Sequence, residues 1–170
     1  MAMKDGELLE RDGRFELRFV RELSHPVEKV WEAVTSPAGL AAWFPFDVVG
    51  ERATGAPLRF VFREGEGDPF TGSMVEYTPR SAMELIWEDG ETLRLELAPA
   101  GTGCVLTLVN RFDEIGKAAR DAAGWHACLD ALEASLAGES IDASRIWGEV
   151  HPGYVSRFGP EAATLGPPAR

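Results

Sequence analysis

The sequence predicts an α+β fold in which a long C-terminal helix lies in a curved antiparallel sheet of about six to seven strands and closes an apolar cavity. Three observations carry this. Between about 46 and 112, short runs alternate apolar and polar residues and are parted by turn signals. Residues 118–136 carry apolar side chains at steps of 4, 3, 4, 3 and 4. One strand and two short helices precede the sheet.

The first strand lies in residues 14–23, where Phe15, Leu17 and Phe19 share one face and Glu16 and Arg18 the other. Pro26 starts a helix, because its missing N–H and fixed φ are harmless there. Val27, Val30, Trp31 and Val34 form its apolar side. Ser36-Pro37 repeats the same grammar of cap and proline, and Leu40, Trp43 and Phe44 give the second short helix its apolar side before Pro45 stops it.

The meander follows. Leu58, Phe60 and Phe62 alternate with Arg59, Val61 and Arg63, and residues 64–69 are a loop by composition. Residues 72–77 form the next strand, ended by Thr78-Pro79. Met83, Leu85 and Trp87 then alternate with Glu84 and Ile86, and Asp89-Gly90 predicts a type I′ hairpin with positive φ at both positions. Leu93, Leu95 and Leu97 follow, then a turn at 98–103 and a strand at 104–112. That last strand offers two faces, either Leu106, Leu108 and Asn110 or Val105, Thr107 and Val109.

Ala118, Ala122, Trp125, Leu129, Leu132 and Leu136 make one stripe of a helix of about five turns, with Arg120, Asp121, Asp130 and Glu133 off it. Gly138 is a natural stop. Residues 139–159 form an appendage whose Trp147, Tyr154 and Phe158 are expected to pack back on the domain. Residues 160–170 are expected to be a flexible tail. The chain is thus one domain over 1–159 with its core in 14–138.

Of 170 residues, 45% are hydrophobic and 26% charged, the balance of a globular domain. A formal net charge of −11, with no Lys/Arg run, disfavours nucleic acid and anionic lipid as partners. Cys104 and Cys128 make no disulfide framework. Residues 1–10 are charged and lack the apolar core of a secretory signal, and no apolar run approaches the roughly 20 residues of a membrane span. The expected location is cytoplasmic, without membrane insertion.

The stretch Pro26-Val-Glu-Lys-Val-Trp31-Glu-Ala-Val-Thr35-Ser-Pro37 resembles the first-helix signature of the START-like, or SRPBCC, superfamily. Leu40-Ala-Ala-Trp43-Phe44 resembles the branch named for the activator of the ninety-kilodalton heat-shock protein's ATPase. Gly72, Leu85-Ile-Trp87 and Gly124-Trp125 with Leu129 and Leu132 fit the same branch, so the likeness spans about 14–138. It implies a helix-grip fold with an internal cavity. Its members include binders of hydrophobic ligands, polyketide cyclases and aromatases, and a cochaperone domain. The cochaperone carries an additional N-terminal domain that this sequence does not show, which disfavours a chaperone partner.

No catalytic motif stands out. There is no G-x-S-x-G elbow, phosphate-binding loop or dinucleotide fingerprint, and Gly65-Glu-Gly67 opens no helix. His25, His126 and His151 lack metal-ligand spacing, so neither metal nor cofactor is expected. His126 is assigned to the helix surface or cavity rim, and His151 to a loop. The carboxylate pairs Glu64/Glu66 and Glu88/Asp89 fall at turns and read as solvated. Gly124, costly inside a helix, signals either close approach to the sheet or room for a ligand, and close approach is the simpler reading.

The aromatics Trp43, Phe60, Phe62, Trp87 and Trp125 have a core reading and a cavity reading. In the cavity reading they line a ligand site together with Met83, Leu85, Leu95, Leu97, Asn110 and Leu129. The expected function is binding of a small hydrophobic or amphipathic ligand. A cyclase or aromatase would need two or more ionisable side chains facing inward, whereas the predicted inward faces are nearly all apolar. A surface interaction module is the third reading, and the sequence leaves a homodimer open.

Overall fold

A computed structural model describes residues 4–63 and 67–166. Strand β1 (Glu7–Arg11) and strand β2 (Arg14–Leu23) form a hairpin. Its turn residues Asp12 and Gly13 have φ of 53° and 77°, the two positive values of a type I′ turn. Helix α1 (Val27–Thr35) and helix α2 (Pro37–Ala41) follow, and the Ser36 hydroxyl accepts from Gly39 N to cap the second. Then come β3 (Phe46–Val49), β4 (Pro57–Phe62), β5 (Phe70–Thr78), β6 (Ala82–Trp87), β7 (Thr92–Ala100) and β8 (Gly103–Phe112). Helix α3 (Ala118–Leu136) and helix α4 (Ala143–Phe158) complete the chain, with 3-10 turns at Ile115–Lys117 and Pro160–Ala163.

The eight strands make one curved antiparallel sheet in the order β1-β2-β8-β7-β6-β5-β4-β3. Two strands exceed expectation, β1 and β3, each short and at an edge. The register shifts between Met74 and Glu76, a bulge that leaves Val75 exposed and bends β5. The Asp89-Gly90 turn departs from type I′. Only Gly90 has positive φ, Gly90 N donates to Trp87 O, and Trp87 N donates to Glu91 O. This is a three-residue loop with glycine at its left-handed position. Glu64 and Glu66 lie outside the described residues, as does half of the 64–69 loop.

Period two places Leu93, Leu95 and Leu97 of β7 and Leu106, Leu108 and Asn110 of β8 on the buried face, which decides between the two faces of β8. The stripe of α3 lies on this face and its leucines are all buried. Each such burial contributes about 1.5–3 kcal/mol. Gly72 permits a close approach, since an added methyl would run into the Ile86 carbonyl and come within 2.9 Å of the Phe60 ring.

Helix α3 is covered on a second side too. Ala119, Ala123, His126 and Ala127 form another buried stripe, against which α4 packs. His126 is therefore buried rather than at the surface or rim. The appendage of 139–159 is helix α4 itself, capped by Asp142, whose carboxylate accepts from Ser144 N and Arg145 N. His151 lies in this helix rather than a loop and stacks on Trp147 at 4.3 Å. Tyr154 is fully buried and accepts from Gly6 N at 2.8 Å, leaving its O–H to donate to His126 Nδ1, also at 2.8 Å. Desolvation lowers the His126 pKa, in keeping with a neutral ring that accepts this hydrogen bond. Past α4, where the sequence reads as a flexible tail, Ala162 is buried and Leu165 N donates to Gly116 O.

One charge sits on the inward face of β2. Arg21 is 2% exposed. It reaches Asp130 at 2.9 Å and Glu133 at 2.7 Å on α3, and its Nε and Nη2 donate to the Lys4 carbonyl. This cluster ties the N-terminal segment, the sheet and α3 together at the end where α4 also docks through Tyr154.

Candidate functional site

A cleft of about 580 Å³ opens between the β3–β6 side of the sheet and the N-terminal half of α3. Six aromatic side chains wall it, each from a different element: Phe46 of β3, Phe62 of β4, Phe70 of β5, Trp87 of β6, Trp125 of α3 and Trp147 of α4. On the sheet side the rings touch one another. Phe46 meets Phe62 edge-on at 4.9 Å and Phe70 at 5.1 Å. Phe60, one layer beneath, stacks on Phe70 at 5.0 Å and on Trp87 at 5.5 Å. Such contacts fix ring orientation as well as burying area.

The helix side is more open. A methyl built on Gly124 meets nothing within 4 Å, although Gly124 lies in the cleft wall. Close approach of helix to sheet is thus not its reason, and the structure shows open space there instead. The neighbouring Trp125 is held by Asn110, whose Oδ1 accepts from the indole Nε1 at 3.1 Å. Trp147 is fixed by its own indole N–H, which donates to the Arg120 carbonyl.

A polar chain runs from Trp125 to the rim. Asn110 donates to Glu91 at 3.0 Å and to the Thr92 carbonyl. Glu91 pairs with Lys117, which also lies 3.6 Å from Asp121, and Asp121 accepts from Arg120 at 2.9 Å. Burial alone would lower the Lys117 pKa, but the Glu91 hydrogen bond and the charges of Glu91, Asp121 and Asp89 outweigh it and hold it raised. Desolvation pushes the Cys128 thiol up to about 12, which leaves it protonated and a poor nucleophile at neutral pH.

Of the eleven residues expected to line a cavity, Phe62, Trp87 and Trp125 stand in this wall. Asn110 lies behind Trp125 and orients it. The other seven sit elsewhere: Trp43, Phe60, Met83 and Leu85 are at most 5% exposed in the closed core, as are Leu95, Leu97 and Leu129 at most 6% exposed. Trp43 donates to the Ala33 carbonyl and secures α2. The physical reason is that these side chains belong to the closed core, whereas the cleft lies beside it, bordered on α3 by Gly124, Trp125 and Cys128. Phe46, Phe70 and Trp147, and the ionic groups Glu91, Lys117, Arg120 and Asp121, also line the cleft, although their sequence positions did not assign them to a cavity. Glu88 and Asp89, read as solvated turn residues, are exposed but belong to the cleft margin.

Among the described residues no group of three or more His, Cys, Asp or Glu could hold a metal ion, and no helix is long and apolar enough to cross a membrane.

A curved antiparallel sheet gripping one long helix, with two short helices after the opening hairpin, defines a START-like, helix-grip protein. More narrowly, the chain belongs to the family of activator of Hsp90 ATPase homolog 1-like proteins, whose pattern matches residues 24–137. Helix α4, and with it Trp147, lies outside that match. Among solved structures, CalU16 from Micromonospora echinospora superposes with a TM-score of 0.73 at 21% identity, over 91% of this chain and 97% of that one. The conserved protein of unknown function EF2215 from Enterococcus faecalis gives 0.70 at 18% identity, over 91% and 92% of the two chains. DynU16, from the dynemicin biosynthetic locus, gives 0.64 at 26% identity, over 74% of this chain and 48% of that one. No curated protein matches the chain significantly in sequence.

Proposed function

We propose that this protein binds a small hydrophobic or amphipathic molecule in the aromatic cleft. The observation that carries the reading is the convergence of six aromatic side chains from six elements on one cleft of about 580 Å³, the size of a site for a drug-sized ligand. Likeness to a protein from a biosynthetic locus supports a small-molecule ligand. The neutral dye Nile red tests it. Saturable one-to-one binding that raises the melting temperature by linkage is expected, and at a hundredfold excess over Kd the gain is about 2.7 kcal/mol. Absence of saturable binding would contradict the reading.

A second reading, an enzyme of the cyclase or aromatase type, is favoured by one observation. Glu91, Lys117, Arg120 and Asp121 all border the cleft, which meets the requirement for ionisable groups there. These groups are engaged with one another, however, rather than presented to the space, so binding remains the conclusion. Lys117→Met separates the two. As a binder the protein should change its ligand affinity by no more than about threefold, the scale of a partly exposed ion pair. Loss of about 100-fold in turnover of any bound substrate would instead establish Lys117 in acid–base chemistry.

A further inference from the structure

We infer that the cleft selects planar aromatic molecules carrying a positive charge, such as a protonated amine on a fused ring system. The inference rests on the binding reading above and names the ligand class of the same site.

Shape supplies the first part. In the sheet wall the rings of Phe70 and Trp87 lie 15° from parallel, both backed by the buried Phe60 ring at 19° and 12°, whereas Phe46 stands edge-on to Phe62 and Phe70 beside them. Trp125 and Trp147 bound the space from the helices. The aligned pair Phe70 and Trp87 favours a flat guest that stacks, and ring faces attract cations through their quadrupole.

Charge supplies the second part. Six ionisable carboxylate, amine and guanidine groups border the cleft, of which Glu88, Asp89, Glu91 and Asp121 are acidic and Lys117 and Arg120 basic. Both basic groups are consumed internally, Lys117 by Glu91 and Asp121, and Arg120 by Asp121. Neither Glu88 nor Asp89 forms an ion pair among the described residues, although the Asp89 charge contributes to raising the Lys117 pKa. Glu88 Oε2 accepts from the Thr71 hydroxyl and Asp89 Oδ1 from Glu91 N, which leaves one oxygen of each uncommitted. Two carboxylates thus remain unbalanced beside Trp87, on a chain whose net charge of −11 already repels anions.

The test compares three planar tricyclic probes by tryptophan quenching and calorimetry: proflavine, a cation; acridone, neutral; and anthraquinone-2-sulfonate, an anion. Proflavine is expected to bind about tenfold or more tightly than the sulfonate at low salt, with the gap narrowing at high salt. Glu88→Gln combined with Asp89→Asn should weaken proflavine by about three- to tenfold and leave acridone unchanged. Glu7→Gln combined with Glu10→Gln changes the net charge equally at two exposed positions of β1, at the opposite edge of the sheet from β3, and should weaken proflavine by less than about twofold. Proflavine binding no tighter than acridone, or weakened as much by the remote pair, overturns this inference while leaving the binding reading standing. Failure of all three probes to bind counts against both.

Discussion

Replacing Arg21 with methionine is expected to lower the stability of the protein by about 3–5 kcal/mol, the usual cost of removing one partner from a buried ion pair. Arg21 is nearly inaccessible, whereas Asp130 and Glu133 retain about a fifth of their exposure. The carboxylates can therefore recover some hydration, which places the loss toward the lower end of the range. The substitution also strips the Lys4 carbonyl of two donors and so loosens the N-terminal segment. For a chain of this length, a melting temperature lower by about 6–20 °C follows. Arg18→Met, on the exposed face of the same strand, should change stability by less than about 0.5 kcal/mol. Equal effects from the two substitutions, measured by thermal or urea unfolding, would show that the Arg21 cluster does not anchor α3.

Gly124 gives the second large effect, and its sign separates folding from binding. Gly124→Ala should stabilise the protein by up to about 1 kcal/mol, because alanine is the better helix former and the methyl meets open space. Gly124→Phe projects a ring into the cleft. It should leave the fold intact and weaken an apolar ligand by at least about tenfold, since the space the ligand needs is taken. Destabilisation by alanine would instead reveal a packing role for the glycine.

The grip of helix and sheet was legible because both depend on local periodicity. Stripe and alternation name the buried face of α3 and of β7 without knowledge of their partners. Periodicity says which face is buried, but not how far along a strand the helix reaches. Leu85 and Trp87 share a face of β6, yet one lies in the closed core and the other in the cleft. That difference is tertiary, and it explains why seven expected lining residues sit in the core.

Other features left faint signals. The alternation Phe15, Leu17, Phe19 continues to Arg21 and Leu23, so the charge on the apolar face already marked a buried pair. Asp12-Gly13 carried the same hairpin signal as Asp89-Gly90, and only the first forms the type I′ turn. Ala119, Ala123 and Ala127 form a second stripe of small residues, which marks where another helix can approach. Helix α4 was harder to read, because Pro152 interrupts its pattern. The pairing of Glu91 with Lys117 joins groups 26 residues apart on a turn and a helix entry, and no local rule relates them.

The space beside Gly124 is the proposed binding site. Titration of Nile red into the native protein and the Gly124→Phe variant, both confirmed folded by circular dichroism, tests it most directly. Saturable one-to-one binding to the native protein and a loss of at least about tenfold in the variant are expected. Equal affinity for the two proteins would contradict it.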